Sequence, residues 1–313
     1  MSKRGIHVVT GGAGFIGSHL VASLLADGLP VRVVDDLSTG RRENVPPGAE
    51  FLEADVVDRA PEAVRSAEVV YHLAAMVSVP RSVADPRGCH RHTAESLLAV
   101  LDAGERAGVR RVVYASSSAV YGDAPGLPKR EDQIPAPISP YAVAKRCGEL
   151  YAEAWARRGA LEAVSLRFFN VFGPGQDPSS PYSAVIPVFI RAILEGRPAP
   201  VYGDGGQTRD FVYVGDVVRM LRAAATAPSA SGRTYNVGQG HGTSLLRLLE
   251  VLSAVAGQPL RPQFLPPRVG DIRDSWADVE AAARDLGVRA GMRLEEGLAR
   301  TFEAYAAAVG AKA

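Results

Sequence analysis

Short apolar runs alternate with segments of helical spacing through the first 170 residues of the chain. Runs of five to seven residues that end at Gly, Asp or Ser predict buried strands. The predicted strands cover residues 6–10, 31–36, 51–55, 69–74, 111–115 and 162–168. Apolar residues spaced three and four apart predict helices over residues 15–27, 93–107 and 141–158. Strands that alternate with helices predict an α/β fold with a doubly wound parallel sheet, covered on both faces.

Proline and glycine become more frequent after about residue 170, and the regular alternation of elements stops. Helices are predicted there over residues 184–195 and 244–256, and an Ala-rich helical segment over residues 278–309. A strand predicted over residues 210–214 runs back to the main body. We therefore predict a first domain over residues 1–170. A smaller α/β domain mainly covers residues 171–313 and is interleaved with the end of the sheet.

The composition is that of a folded and nearly neutral protein. Of 313 residues, 47% are hydrophobic and 22% are charged, which excludes wholesale disorder, a collagen and a coiled coil. Lys and Arg number 35 and Asp and Glu 34, so the net charge is +1. A nucleic-acid-binding protein usually carries a basic excess, and we therefore expect no nucleic acid as main partner.

Two cysteines, Cys89 and Cys147, cannot form a disulfide framework or a Cys-rich zinc site. The six histidines are scattered, and their spacing does not imply a metal. The N-terminal apolar run is too short for a signal peptide, and no run of 18 apolar residues occurs. These features predict a cytoplasmic protein with no membrane partner.

A glycine cluster lies between the first predicted strand and the first predicted helix. Gly11, Gly14 and Gly17 repeat every third residue, and this spacing lets backbone amides at a helix N-terminus approach a pyrophosphate. Phe15 and Ile16 lie within the same loop. The motif predicts a Rossmann-type dinucleotide site.

An acidic residue, Asp35, ends the second predicted strand. Its carboxylate suits the adenosine ribose hydroxyls and would repel a 2′-phosphate, which favours NAD over NADP. Asp55 and Val56 follow the third predicted strand, where they either contact the adenine or cap the next helix.

A polar cluster follows the fifth predicted strand. Residues 116–122 read Ser-Ser-Ser-Ala-Val-Tyr-Gly, and residues 141–145 read Tyr-Ala-Val-Ala-Lys. With the glycine loop, these motifs resemble the extended short-chain dehydrogenase/reductase family, and the resemblance is closest to UDP-hexose 4-epimerases acting on UDP-glucose or UDP-N-acetylglucosamine. It runs nearly end to end, with further matching runs at residues 77–82, 169–173, 182–187, 203–211 and 268–271.

The resemblance assigns catalysis to Ser117, Tyr141 and Lys145, with Ser118 as a helper. Tyr141 and Lys145 are four residues apart on a predicted helix, so both lie on the same face. A tyrosine with a pKa of about 10 is a poor base at neutral pH. Because a neighbouring ammonium and an oxidised nicotinamide both favour the phenolate, we expect the pKa of Tyr141 to fall.

The resemblance also implies the binding residues. For NAD it adds Ala74, Phe168, Tyr141 and Lys145 to the loop residues. For a UDP-sugar it implies Val79, Ser117, Ser118, Tyr141, Asn170, Val201, Tyr202, Arg209, Arg268, Asp271 and Ser275. Arginine suits the diphosphate because its guanidinium can bind two phosphate oxygens. Ser275 stands where the family places a residue that limits sugar size, and a serine leaves room for a 2-acetamido group.

The implied reaction is a 4-epimerisation. Tyr141 takes the proton of the C4 hydroxyl while NAD takes the C4 hydride, the 4-keto sugar rotates about its diphosphate, and the hydride returns to the opposite face. Related dehydratases carry an Asp-Glu pair after the catalytic hydroxyl, where this chain has Ser118 and Ala119. Three alternatives stay open: a UDP-glucuronate 4-epimerase, a nucleotide-sugar dehydrogenase or reductase, and a non-enzymatic scaffold.

One segment departs from the family pattern. The usual Asn-x-x-Gly-Thr is replaced by Thr93-Ala-Glu-Ser-Leu97, which alters a packing or cofactor contact. Relatives commonly dimerise through the two helices near residues 93–107 and 141–158, so the resemblance also implies a homodimer.

Overall fold

The computed structural model describes residues 5–159, 161–177, 184–267 and 272–310. Its strands, in chain order, are β1 (Ile6–Thr10), β2 (Val31–Asp35), β3 (Glu50–Glu53), β4 (Ala67–His72), β5 (Arg111–Ser117), β6 (Glu162–Phe168), β7 (Asn170–Phe172), β8 (Ala199–Tyr202), β9 (Thr208–Arg209), β10 (Phe211–Tyr213), β11 (Thr234–Val237), β12 (Thr243–Ser244), β13 (Pro262–Leu265) and β14 (Asp274–Ser275). Seven of them form one parallel sheet in the order β11-β6-β5-β4-β1-β2-β3.

The α-helices, in chain order, are α1 (Phe15–Ala26), α2 (Val56–Ala63), α3 (Val79–Ala84), α4 (Pro86–His90), α5 (Ser96–Ala107), α6 (Pro140–Arg158), α7 (Val185–Leu194), α8 (Val214–Thr226), α9 (Leu245–Ala256), α10 (Glu280–Leu286) and α11 (Leu294–Gly310). A π-helical turn, Arg91–Glu95, precedes α5, and a 3₁₀ turn, Ser118–Tyr121, follows β5. None of the described helices is both long and apolar enough to cross a lipid bilayer.

Helices cover both faces of the seven-stranded sheet. Successive strand residues point to opposite faces, so neighbouring residues of β1 pack against different helices. Val9 belongs to a buried cluster with residues of α1, α8 and α10, whereas Val8 belongs to one with residues of α2, α5 and α6. The predicted Rossmann-type fold class is confirmed. A third buried cluster joins α7, α9 and α11 to β8 and forms the core of the second half.

The second half of the chain differs from the sequence-based expectation in three places. The strand predicted over residues 210–214 is β10, which pairs with β7 in a two-stranded sheet. The strand that completes the main sheet is β11, which pairs with β6 and was not predicted. The segment 278–309 forms two helices, which separate at Gly287 (φ +68°) because α10 ends there in a left-handed turn.

Residues beyond position 170 thus contribute β11, α8 and α10 to the main sheet and its cover. The division into domains 1–170 and 171–313 stays a prediction.

Candidate active site

The predicted site residues gather at the carboxyl ends of the parallel strands, where α/β folds bind ligands. The glycine loop follows β1, and Asp35, Ser117 and Phe168 are the last residues of β2, β5 and β6. The sheet order places β5 beside both β4 and β6. Sheet topology therefore brings the dinucleotide loop and the Ser-Tyr-Lys motif to one edge.

Helix α6 presents Tyr141 and Lys145 towards this edge. Ser139 caps the helix by accepting a hydrogen bond from the Ala142 amide (3.2 Å), and Pro140 occupies its first position. Tyr141 is 8% exposed and Lys145 3% exposed. A capped, proline-initiated helix fixes where both side chains lie relative to β5.

The phenol of Tyr141 is buried beside Ser117. Burial raises the pKa of Tyr141 to about 12, and a hydrogen bond with the Ser117 side chain acts in the opposite direction. The Ser117 oxygen also accepts a hydrogen bond from the Ala119 amide (3.2 Å) and so caps the 3₁₀ turn that begins at Ser118. In the protein without NAD, desolvation outweighs this hydrogen bond, and the fall expected beside an oxidised nicotinamide stays a prediction.

The ammonium of Lys145 donates a hydrogen bond of 2.6 Å to the carbonyl oxygen of Ala115. It lies 5.0 Å from the centre of the Tyr114 ring and 5.9 Å from that of Tyr141. Burial lowers the pKa of Lys145 to about 7. Lys145 is thus held against β5 with a proton that it can lose near neutral pH.

The loop after β1 depends on glycine for steric reasons. Gly11 has φ +69°, and a Cβ there would lie 2.8 Å from the Ala74 amide nitrogen. A Cβ on Gly17 would lie 2.2 Å from the Gly11 carbonyl oxygen. Gly14 is the N-cap of α1 and has no side chain to cap Phe15, Ile16 and the following amides. The loop therefore fits a pyrophosphate placed at the N-terminus of α1.

Asp35 lies beside this loop and is 7% exposed. Its two oxygens accept hydrogen bonds from the amides of Ala13 and Leu37, each at 2.9 Å. Burial raises its pKa above the usual value. Each carboxylate oxygen keeps a further lone pair, so the residue fits the predicted contact with ribose hydroxyls.

The remaining predicted NAD residues lie around the same edge. Asp55 is the N-cap of α2, where it accepts a hydrogen bond from the Val57 amide (2.9 Å), so the capping interpretation is confirmed and an adenine contact stays a prediction. Val56 is the buried first residue of α2. The Ala74 amide donates to Thr10 Oγ1 at 3.3 Å.

Most of the predicted substrate residues lie on the second half of the chain. Asn170 begins β7, and its backbone N–H donates a hydrogen bond to the backbone carbonyl of Asp210 (2.9 Å). Arg209 and Ser275 are paired neighbours of β9 and β14. The Arg209 guanidinium donates to the carbonyls of Thr208 (2.8 Å) and Arg273 (2.9 Å). The sugar contacts of these residues stay predictions.

The other predicted substrate residues have mixed surroundings. Val201 is buried in β8, and the carbonyl of Tyr202 accepts a hydrogen bond of 2.5 Å from Gln207. Val79 is the 43% exposed first residue of α3. Arg268 and Asp271 lie outside the described residues. Among the described residues, no group of three His, Cys, Asp or Glu side chains is arranged to hold a metal.

Three buried polar residues near the site, Glu149, Asp210 and His72, were not predicted from the sequence. Glu149 pairs with Arg167 beneath Ser116, and Asp210 accepts backbone hydrogen bonds behind Arg209. His72 lies fully buried between Thr10 and Ser96. Glu149 had a detectable signal, since it continues the four-residue spacing of Tyr141 and Lys145.

The comparisons with known proteins agree on one family. The model described as the NAD dependent epimerase/dehydratase family matches residues 7–238. A UDP-glucose 4-epimerase from Mycolicibacterium smegmatis is 41% identical over 307 residues, which cover 95% of this chain and 97% of that protein.

Two solved structures are similar along almost their whole length. A UDP-N-acetylglucosamine 4-epimerase from Methanobrevibacter ruminantium, in complex with UDP-N-acetylmuramic acid, has 36% identity and a TM-score of 0.94, with 98% of this chain and 99% of that chain covered. A UDP-glucose 4-epimerase from Thermus thermophilus, in complex with NAD, has 38% identity and a TM-score of 0.88, with 97% and 99% covered.

Proposed function

This chain belongs to the NAD-dependent epimerase/dehydratase family and is an NAD-dependent isomerase, and we propose that it interconverts C4 epimers of UDP-hexoses. The family and the cofactor NAD, both expected from the sequence, are confirmed. The observation that carries the proposal is that Ser117, Tyr141 and Lys145 lie together at the sheet edge that also carries the glycine loop.

We assign proton transfer at C4 to these three side chains. With NAD bound, Tyr141 acts as the phenolate: it takes the C4 hydroxyl proton and gives one back to the keto oxygen, while Ser117 hydrogen-bonds the same oxygen. Lys145 bonds the Ala115 carbonyl and adds positive charge 5.9 Å from the centre of the Tyr141 ring when protonated. NAD, when bound, supplies the hydride acceptor and donor and a cationic ring beside the phenol.

Ser118 and Ala119 support an epimerase over a dehydratase. Loss of water from the sugar needs a general acid and a general base, and neither a serine hydroxyl nor a methyl group serves as one at neutral pH. These two residues begin the 3₁₀ turn directly after Ser117. Redox chemistry and a Tyr141-held proton are sufficient for epimerisation.

The small side chain of Ser275 supports a broad sugar preference. Ser275 is half-buried in β14 and pairs with Arg209 of β9. We propose Arg209 as a ligand of the diphosphate. A serine leaves space for a 2-acetamido group, so we propose UDP-glucose/UDP-galactose and UDP-N-acetylglucosamine/UDP-N-acetylgalactosamine as substrates. The similar proteins include epimerases named for both sugar types.

The test is to incubate the purified protein, without added NAD, separately with UDP-glucose, UDP-N-acetylglucosamine and UDP-glucuronate. Anomeric proton NMR signals report each C4 epimer, and Tyr141→Phe is the matched control. We expect conversion of the first two substrates by the wild type and loss of it in the variant.

Two outcomes would contradict the proposal. Conversion of UDP-glucuronate alone would assign the site to a carboxylated sugar, and Arg81 would be the first cation to examine. Net accumulation of NADH, with no epimer after NAD is added, would favour a dehydrogenase.

We also propose a homodimer formed through α5 and α6. Val143 and Leu150 lie seven residues apart on α6 and are 46% and 50% exposed. Sedimentation equilibrium of the wild type is expected to give a dimer mass, and of Val143→Glu/Leu150→Glu a monomer mass. A monomeric wild type would refute the proposal.

A further inference from the structure

Glu149 is a buried carboxylate on the same helix as the proposed catalytic pair. It lies four residues after Lys145, and its side chain has 0% exposure. The carboxylate accepts four hydrogen bonds, from Ser116 Oγ (2.6 Å), Arg146 Nη1 (2.9 Å), Arg167 Nε (2.8 Å) and Arg167 Nη2 (2.9 Å). The i, i+4 spacing places it on the helix face that carries Tyr141 and Lys145.

These hydrogen bonds connect α6 to the ends of two strands. Ser116 precedes Ser117 on β5, and Arg167 precedes Phe168 on β6. The bidentate contact between Arg167 and Glu149 has a defined geometry, because the planar guanidinium fixes both oxygens. Glu149 therefore holds together the three elements whose ends surround the proposed reacting centre.

The network continues from Arg167 towards the second half of the chain. Its guanidinium lies 4.6 Å from the centre of the Tyr121 ring. The Tyr121 hydroxyl donates to Asn236 Oδ1 (2.7 Å), and the Asn236 amide donates to the carbonyl of Lys129 (2.8 Å). β11, which carries Asn236, is thereby fixed relative to the 3₁₀ turn after Ser117.

Glu149 is also the negative charge nearest to Lys145 along α6. The titratable side chains that face Lys145 come from β4, α4, β5 and α6, and are His72, Cys89, Tyr114, Tyr141 and Glu149. Burial lowers the pKa of His72 to about 3, so this ring is neutral. Burial raises the pKa of the Cys89 thiol and of both phenols, so these groups are neutral as well.

Glu149 by contrast is ionised. Burial alone would raise its pKa, but the hydrogen bonds from Arg167, Ser116 and Arg146 lower it below the usual value. Of the two described groups whose negative charge favours a protonated Lys145, Cys89 and Glu149, only Glu149 carries that charge near neutral pH.

We propose that Glu149 is a positioning residue for the reaction: it favours the ammonium form of Lys145 and holds the ends of β5 and β6 around Tyr141. The kinetic part of this inference rests on the proposed epimerase function, and the electrostatic part does not. Glu149 itself does not touch the proposed reacting atoms, since its oxygens are taken by Ser116 and the two arginines.

The chain allows a direct measurement of the charge on Lys145, because it contains only four lysines, Lys3, Lys129, Lys145 and Lys312. In protein labelled with ¹³Cε-lysine, the signal that is absent from Lys145→Met identifies Lys145, and its shift is followed against pH. We expect the titration midpoint of Lys145 to fall by about one unit in Glu149→Gln, as for loss of a nearby opposite charge.

Glu162→Gln is the matched control. Glu162 accepts a hydrogen bond of 2.7 Å from the buried Arg111 at the opposite ends of the same two strands. This variant also breaks an Arg–Glu pair between β5 and β6, so it reports the general cost of such a loss. We expect it to leave the Lys145 midpoint and the pH dependence of kcat unchanged.

The kinetic arm measures kcat and KM for the UDP-sugar across pH. In Glu149→Gln we expect kcat to fall about tenfold with a smaller change in KM, and the alkaline loss of kcat to move to lower pH. Ser116→Ala, which keeps both charges, is expected to lower kcat without moving the Lys145 midpoint. Glu149→Asp keeps the carboxylate but shortens the side chain. We expect its Lys145 titration midpoint to lie close to that of the wild type, while its kcat stays lower than that of the wild type.

The outcomes separate the alternatives. An unchanged Lys145 midpoint in Glu149→Gln, or the same shift in Glu162→Gln, would overturn the electrostatic role. An unchanged kcat in Ser116→Ala would overturn the positioning role. If Glu149→Gln does not fold, the double variant Glu149→Gln/Arg167→Met replaces it. This variant removes both charges of the pair, and a buried site tolerates the loss of both partners better than the loss of one. A wild type without epimerase activity whose Lys145 midpoint still depends on Glu149 would refute the proposed function alone.

Discussion

The Lys145 ammonium donates a 2.6 Å hydrogen bond to the carbonyl oxygen of Ala115, two residues before Ser117. This bond links α6 to β5 close to Tyr141 and Ser117. It also holds a charged group in a fully buried place, and burial lowers the pKa of Lys145 to about 7. The arrangement places a titratable cation next to the proposed base at a cost in stability.

Activity is expected to fall as pH rises through about 7, since Lys145 then loses its proton. Lys145→Met is expected to lower kcat by about 10²- to 10⁴-fold. We expect the same variant to be more stable than the wild type at pH 6. In the wild type the lysine is protonated in both the folded and unfolded states below pH 7, so folding buries a charge.

The stability difference is expected to shrink between pH 7 and pH 10.5, because the folded wild type releases this proton before the unfolded chain does. Urea unfolding of both proteins at pH 6 and pH 9 checks the sign. Equal stability at pH 6 would mean that the ammonium is not buried.

Thr10→Val is expected to weaken NAD retention. Thr10 Oγ1 accepts a hydrogen bond from the Ala74 amide (3.3 Å) and lies 2.9 Å from Nδ1 of His72. Burial lowers the pKa of His72 to about 3, so the ring is neutral and carries one N–H. Because Ser96 Oγ donates to the His92 carbonyl (3.0 Å), we assign that proton to Nε2, and the Thr10 hydroxyl then donates to Nδ1. The His72 Nε2 proton then faces Ser96 Oγ at 3.2 Å. Valine leaves Nδ1 and the Ala74 amide unpaired.

The measurement is the amount of NAD that stays with the protein after gel filtration. Thr301→Val is the control, because Thr301 is equally buried and its hydroxyl bonds the Gly297 carbonyl (2.6 Å) inside α11. Equal NAD content in both variants would show that the Thr10 hydroxyl does not position the loop.

Asp210→Asn is expected to destabilise the protein by about 1–3 kcal/mol. The buried carboxylate accepts hydrogen bonds from the backbone N–H groups of Gln239 (2.6 Å), Gly240 (3.0 Å) and Ala277 (3.1 Å). An asparagine NH₂ group would face some of these donors. Because Ala277 lies two residues after Ser275, we also expect KM for the UDP-sugar to rise.

Urea unfolding and steady-state kinetics check this prediction. Asp204→Asn is the control, since Asp204 is exposed and pairs with the exposed Arg273; little change in stability is expected there. Unchanged stability in Asp210→Asn would mean that the three amides find other acceptors.

Ser275→Tyr is expected to remove turnover of UDP-N-acetylglucosamine and to keep that of UDP-glucose. A tyrosine at the edge of β14 would occupy the space that we propose for the 2-acetamido group. Ser275→Ala is the control and is expected to accept both sugars. The ratio of kcat/KM for the two substrates is the measurement, and a proportional loss of both would place Ser275 away from the sugar.

Local spacing explains why much of the site was predictable. The glycine loop and the Tyr141–Lys145 pair each occupy a few residues of one turn or one helix, so sequence alone places their members together. The hydrogen bonds of Glu149, His72 and Asp210 join residues far apart in the chain, and single-sequence patterns carry no record of such partners.

The sequence by itself determined the alternation of strands and helices, the dinucleotide loop and the order of the Ser, Tyr and Lys residues, because these depend on periodicity and near neighbours. The tertiary structure decided that β11 completes the sheet, that the C-terminal segment breaks at Gly287, and that burial raises the pKa of Tyr141. Each of these depends on which distant segments pack together and exclude water, since desolvation and strand pairing are properties of the assembled core.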